Sequence, residues 1–174
     1  MSVGGDKPFG INDIAITDIT GATQVDLPSS RVLAFNPRLI SAELSGDDQI
    51  TAVASRLQAV DWELEAGGVD LDVVAIMSGY TVGSSGSTPN QSEWIQWDGA
   101  QCFPYFKIYG KALGVDCTDN IHVYIYKAKC TEWEGRLQDG QFYITRARGI
   151  AIDDGSNGVM RIVQQETATA LPSS

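Results

Sequence analysis

Any chemistry done by this chain would have to come from few side chains. His122 is its single histidine, set in the run Ile121-His122-Val123-Tyr124-Ile125-Tyr126. In a strand it shares a face with Tyr124 and Tyr126, the setting of a structural histidine rather than a general base. Cys102, Cys117 and Cys130 are an odd number of thiols with no C-x-x-C pair, which suits neither a zinc site nor a disulfide framework. They read as buried or inert thiols in a reducing compartment. Carboxylates are abundant, but no pair is singled out for acid/base work on a glycoside. Asp153-Asp154-Gly155-Ser156-Asn157-Gly158 lacks the alternating ligands and terminal Glu of a calcium loop and reads as a hairpin turn. No nucleophile elbow, phosphate-binding loop, zinc-protease helix or dinucleotide fingerprint is present. The expectation is no catalytic residue, no cofactor, no metal and no enzyme.

The one arranged set of ionisable groups is the strand Ala59-Val60-Asp61-Trp62-Glu63-Leu64-Glu65-Ala66. Period-2 geometry puts Val60, Trp62, Leu64 and Ala66 on one face and Asp61, Glu63 and Glu65 on the other, roughly 7 Å apart. Within the strand no base separates the three carboxylates, so they repel one another and the face should be solvated. It is either an ordinary solvent face or a wall meant to repel a polyanion. Arg146 and Arg148 share a face of a later strand and are either partners for acids on a neighbouring strand or subunit or simply exposed, solvated arginines.

The whole-chain balance is acidic: 22 Asp and Glu against 12 Lys and Arg, a net charge of −10 over 174 residues. That disfavours gripping nucleic acid, which needs cations to neutralise phosphates. No apolar run approaches the roughly 20 residues that cross a membrane, and the start lacks the basic and apolar segments of an export signal. Export by the usual route is not expected.

Segments rich in Ile, Val, Tyr, Phe and Thr recur between turn residues, the signature of an all-β chain. Strands are expected over 11–17, 24–27, 31–35, 39–44, 50–55, 59–66, 103–113, 121–130, 142–152 and 159–164. The two strands 103–113 and 121–130 are apolar or aromatic on both faces, as for strands covered on both sides or lying at a subunit contact. One short helix is expected over 70–79, with Asp70 as N-cap, Asp72 on the positive dipole end and Gly79 at the left-handed C′ position. Its interior, Val73-Val74-Ala75-Ile76-Met77, is apolar all round, so a second cover is expected and another subunit could supply it. The chain reads as one domain, 1–174, with an N-terminal arm (1–8), a polar, flexible excursion over 80–92 and a C-terminal tail (166–174).

The stretch 39–79, LISAELSGDDQITAVASRLQAVDWELEAGGVDLDVVAIMSG, resembles the core segment of the major tail proteins of long-tailed, siphovirus-type bacteriophages. The likeness lies in the acidic, glycine-containing turn Glu43–Asp48, the strand motif Trp62-Glu63-Leu64-Glu65, the glycine break and the short helix Leu71–Gly79. The order of elements fits over some 150 residues. The resemblance implies a β-sandwich or partial barrel of antiparallel strands with one flanking helix, shared with the type VI secretion tube protein. It further implies hexameric rings stacked into a tail tube through which DNA passes during ejection. On that reading Asp61, Glu63 and Glu65 line a negative lumen. The helix residues Leu71, Val73, Val74, Ile76 and Met77 lie at a subunit boundary. Gly46, Asp47 and Asp48 form a ring-stacking loop. Partners would be further copies of the chain and the tape-measure, terminator and baseplate proteins, with DNA passing unbound and no membrane involved. The location would be the virion tail, reached from the host cytoplasm. Two alternatives stand beside it. One is another tail ring protein, a terminator or baseplate-hub component; the other is a small-ligand-binding β-barrel or a carboxylate hydrolase.

Overall fold

A computed structural model describes residues 7–27, 29–46, 49–115 and 119–172. The order of elements is β1 (Asp13–Asp18), β2 (Gln24–Asp26), β3 (Ser30–Gly46), β4 (Gln49–Gly67), α1 (Leu71–Ser78), β5 (Gly83–Ser85), β6 (Ser92–Trp94), β7 (Tyr105–Leu113), β8 (Asn120–Arg136), β9 (Ile144–Ala151) and β10 (Met160–Gln165). The chain is mainly β, as its composition implies, with one short helix among the described residues. Eight strands form a single antiparallel sheet in the order β2-β1-β7-β8-β9-β4-β3, with β10 alongside β8.

This sheet folds over on itself. Its inner surface is apolar on both halves, so each half covers the other, which is the partial-barrel form of the expected sandwich. Trp62 of β4 meets Phe106 of β7 edge to face, ring centroids 5.6 Å apart. Ile14, Ile16, Ile108, Ile125, Leu64 and Ala147 fill the space around this pair. Near the rim, the Leu33 side chain lies against Gly110, where an added Cβ would collide with it. Strand β8 spans both halves. It pairs with β10 from Asn120 to Ile125 and with β9 from Ala128 to Arg136. The turn between them is a bulge: Phe106 faces Ala128 and Ile108 faces Ile125, so Tyr126 and Lys127 together oppose Lys107.

Helix α1 forms as its sequence dictates. Asp70 accepts hydrogen bonds from the backbone N–H groups of Asp72 and Val73, and Gly79 sits at φ 77°. Only a residue without a Cβ takes that left-handed position freely. Val73, Val74 and Met77 are buried, and Val73 and Met77 belong to the core.

Two expected breaks are absent. The segments 31–35 and 39–44 are one continuous strand β3, and 50–55 and 59–66 are one strand β4. Pro37 does not interrupt β3 because β3 pairs only with β4, leaving an edge where a missing donor is tolerated. Strand β8 runs six residues further than expected, to Arg136, because β9 offers it a ladder there. The excursion over 80–92 contains a small β5–β6 hairpin, and the chain around it is tied down by aromatics. The Trp97 ring lies 5.2 Å from that of Tyr80, 5.7 Å from Phe103 and 5.8 Å from Trp133.

Candidate assembly surfaces

Three surfaces stand out: a charged ladder, an apolar ribbon and the exposed side of the helix. The ladder arises because β4 pairs with β9 in the register Glu63↔Arg148 and Glu65↔Arg146. Cross-strand partners share a face, so each carboxylate looks at a guanidinium. Arg148 donates to Glu63 at 3.1 Å and Arg146 to Glu65 at 2.9 Å. From the other side, Arg38 donates to Asp61 at 2.6 Å, and Arg31 lies 3.7 Å from Glu65. The expectation of three mutually repelling carboxylates therefore needs correction. The strand has no interleaved base, but its two neighbours supply one to every carboxylate. The arginines are about half exposed, so the pairs to Asp61 and Glu63 contribute little to stability, while Glu65 is largely covered; together they make this face nearly neutral.

The ribbon is the distal part of β3 and β4. From Leu39↔Leu57 to Gly46↔Gln49 these strands pair with each other, whereas β9 reaches β4 only from Val60. About nine residues of double strand thus project some 30 Å with no third strand and no cover. Ile40, Ala42 and Leu44 share one face with Ala52 and Ala54; Leu39, Leu57 and Val53 lie on the other. Leu44 is 65% exposed and Val53 64%, and Leu39, Ile40 and Ile50 are similarly open. A two-stranded ribbon is at best marginally stable in water, and apolar residues on both faces belong to strands that are covered on both sides. At the tip of this ribbon Asp47 and Asp48 lie outside the described residues, while Gly46 ends β3.

On the helix, the five residues expected at a boundary divide. Val73, Val74 and Met77 are enclosed by their own chain, so no neighbour reaches them; the second cover anticipated for the helix comes largely from within. Leu71 and Ile76 remain half-buried.

The candidate chemical groups are dispersed. His122 is buried, its Nδ1 2.7 Å from the Tyr124 hydroxyl, and burial pushes its pKa down. Among the described residues no three His, Cys, Asp or Glu side chains are grouped to hold a metal. Asp154 is the cap of a turn, accepting from the backbone N–H groups of Ser156 and Asn157 and from the Asn157 amide. Cys117 lies outside the described residues. Cys102 is exposed, so of the expected buried or inert thiols it is not a buried one, while Cys130 is buried and desolvation pushes its thiol up to about 11. Iodoacetamide at pH 8 should therefore alkylate Cys102 rapidly and leave Cys130 intact until the fold is opened with denaturant. Equal labelling of both in peptide mass spectrometry of the native protein would contradict this burial. An apolar cleft of about 560 Å³ opens between β3 and the β7–β8–β10 half, walled by Ile11, Leu33, Phe35, Val123 and Ile162 with Arg31 and Lys111 on its rim.

Sequence reasoning did not find the apolar ribbon or a second cluster, of tyrosines and lysines, on β7 and β8. The signal for the ribbon was present in the apolar alternation on both faces of 39–57. It was obscured because each long strand reads as two short ones, ending at 44 and broken between 55 and 59.

No protein-family model matches the chain, and no curated protein matches it. Among solved structures, a chain in the cryo-EM structure of the anti-feeding prophage baseplate, six-fold symmetrised, is similar at a TM-score of 0.44 and 12% sequence identity, covering 94% of this chain and 97% of that one. A likeness at that level says nothing about function.

Proposed function

We propose that this protein is a structural subunit that works by polymerising, and specifically a tail-tube protein of a siphovirus-type phage, assembled as stacked hexameric rings. The observation that carries this reading is the uncovered apolar ribbon of β3 and β4. Removing the remaining exposure of its Leu, Ile and Val side chains is worth about 1 kcal/mol each, and only a second protein surface can do that. The length of the ribbon suits an element that reaches into the next ring. The open outer edge of β3 suits closure of the sheet with a neighbouring copy, which removes an aggregation-prone edge. Leu71 and Ile76 would be the part of the helix that meets a neighbour.

On this reading the Asp61/Glu63/Glu65 face lines the lumen. It would do so as a paired carboxylate–guanidinium ladder, not as bare negative charge. A passing polyanion would find cations already engaged, and DNA would slide without adhering. The subunit has no catalytic role; its partners are its own copies and the tape-measure, terminator and baseplate proteins. It resides in the virion tail after assembly in the host cytoplasm.

Negative-stain electron microscopy of the concentrated, untagged protein tests the proposal. Hollow tubes with six-fold rings are expected. Rings that never stack would point to a terminator or baseplate-hub component instead. The apolar cleft under β3 favours a second reading, a small-ligand-binding barrel. Strictly monomeric particles that retain an apolar ligand through purification would support that one.

A further inference from the structure

The outer face of the β1–β7–β8–β10 half carries a group of cations unlike the arginines of the ladder. Lys107 and Lys111 alternate with Tyr109 along β7, all on the face turned away from the core. Lys127 and Lys129 follow on β8, and Arg161 on β10 stands opposite Tyr124. None of these five cations forms an ion pair within 4 Å among the described residues; the four pairs present all use Arg31, Arg38, Arg146 and Arg148. Two carboxylates share the face: Asp13 on β1 stands opposite Lys111, and Asp26 on β2 lies in the row of Tyr109. Together with the ladder, this face and its surroundings hold nine of the twelve basic residues of a chain whose net charge is −10. Five cations against two carboxylates on one sheet face of so acidic a protein create a local field opposite to that of the rest of the surface.

The aromatic residues among them identify the kind of partner. The Lys127 and Lys129 ammonium groups both lie 5.1 Å from the centroid of the Tyr105 ring, so that ring's face is already covered. Tyr109 and Tyr124 meet edge to face at 5.3 Å, and Tyr126 leans on Tyr124 at 6.3 Å. Rings spent on one another and on lysines form a stiff, half-buried relief; they are not splayed open to receive bases, as a single-strand platform requires. Rigid tyrosines flanked by cations are what protein–protein contacts concentrate at their centre. The C-terminal segment crosses one end of the face, where the Asn120 amide donates to the Thr169 carbonyl at 2.8 Å, while Tyr124, Tyr126, Lys127 and Lys129 stay half-buried.

We infer that this tyrosine–lysine face is a docking surface for a second protein whose facing surface is acidic. The inference stands on the placement of residues within one subunit and does not require polymerisation.

The experiment measures binding to the dispersed full-length protein of two fluorescent probes, poly-L-glutamate and an oligo-dT of equal length, across a salt series. Poly-L-glutamate should bind more tightly than oligo-dT and be released by salt. Its affinity should fall about tenfold or more in Lys127→Glu/Lys129→Glu and again in Lys107→Glu/Lys111→Glu, each confirmed as folded by circular dichroism. Tighter binding of oligo-dT through the same lysines would overturn the inference in favour of nucleic acid. Concentration-dependent self-association that both double variants abolish would overturn it in favour of a contact between copies. Binding indifferent to both variants, or absent, would also overturn it. None of these outcomes depends on whether tubes form.

Discussion

Leu44→Asp combined with Val53→Asp is expected to yield a soluble, folded subunit that no longer polymerises. The two side chains lie on opposite faces of the β3–β4 ribbon, each about two-thirds exposed, so whichever face meets a neighbour receives a carboxylate. Burying an unpaired charge in an apolar contact costs several kcal/mol, and 3 kcal/mol already raises the concentration needed for assembly more than about 100-fold. The fold itself should be indifferent. Neither residue touches the core, and no third strand depends on the ribbon for its ladder. Melting temperature should therefore stay within a few degrees of the parent while sedimentation shows no large species. Tubes forming at the parent's concentration would mean that the ribbon is not an assembly element.

The second large effect is on the fold. Gly149 of β9 lies between Trp62 on β4 and Cys130 on β8. A Cβ there would overlap the Lys129 carbonyl oxygen and come within 2.6 Å of the Trp62 ring. The ring could move only by giving up its contact with Phe106, and the carbonyl belongs to an adjacent sheet strand. Neither can retreat cheaply, because close-packed interiors do not absorb an added methyl group without shifts elsewhere. Gly149→Ala is expected to lose about 4 kcal/mol or more, a fall in melting temperature on the order of 10 °C, and Gly149→Val should not accumulate in soluble form. Replacing Trp62 by Leu should not rescue Gly149→Ala, since the carbonyl collision remains. An alanine variant melting within a degree or two of the parent would show that the two strands are less tightly held than their geometry implies.

Local signals in the sequence were reliable where the physics is local. Asp70 and Gly79 delimit α1 because capping and left-handed turns are decided within a few residues. The facing of Trp62 inward and Glu63 outward follows from alternation alone. What failed depended on partners far along the chain. The charge state of the ladder could not be read from 59–66, since its arginines come from β3 and β9, the latter more than eighty residues away. Arg146 and Arg148 were visible as candidate partners, but only the β4–β9 register assigns them to Glu65 and Glu63. The continuity of β3 through Pro37 depended on that strand being an edge, which is a property of the whole sheet. Likewise the all-round apolar helix suggested an outside cover. The folded-over sheet supplies most of that cover itself, and only the packing of α1 against β1, β7 and β8 reveals it.

Strand β8 passes through both halves of the folded sheet, carrying Lys127 and Lys129 on one side of its course and the register partners of the ladder arginines on the other. An extended strand is close to inextensible at about 3.3 Å per residue. The span between the ladder and the tyrosine–lysine face is thus gauged by a covalent strut, not by soft packing between separate layers. When subunits of this kind assemble, the spacing between these two surfaces is set before any contact forms. A substitution that loosens the core would blur the subunit without changing that spacing.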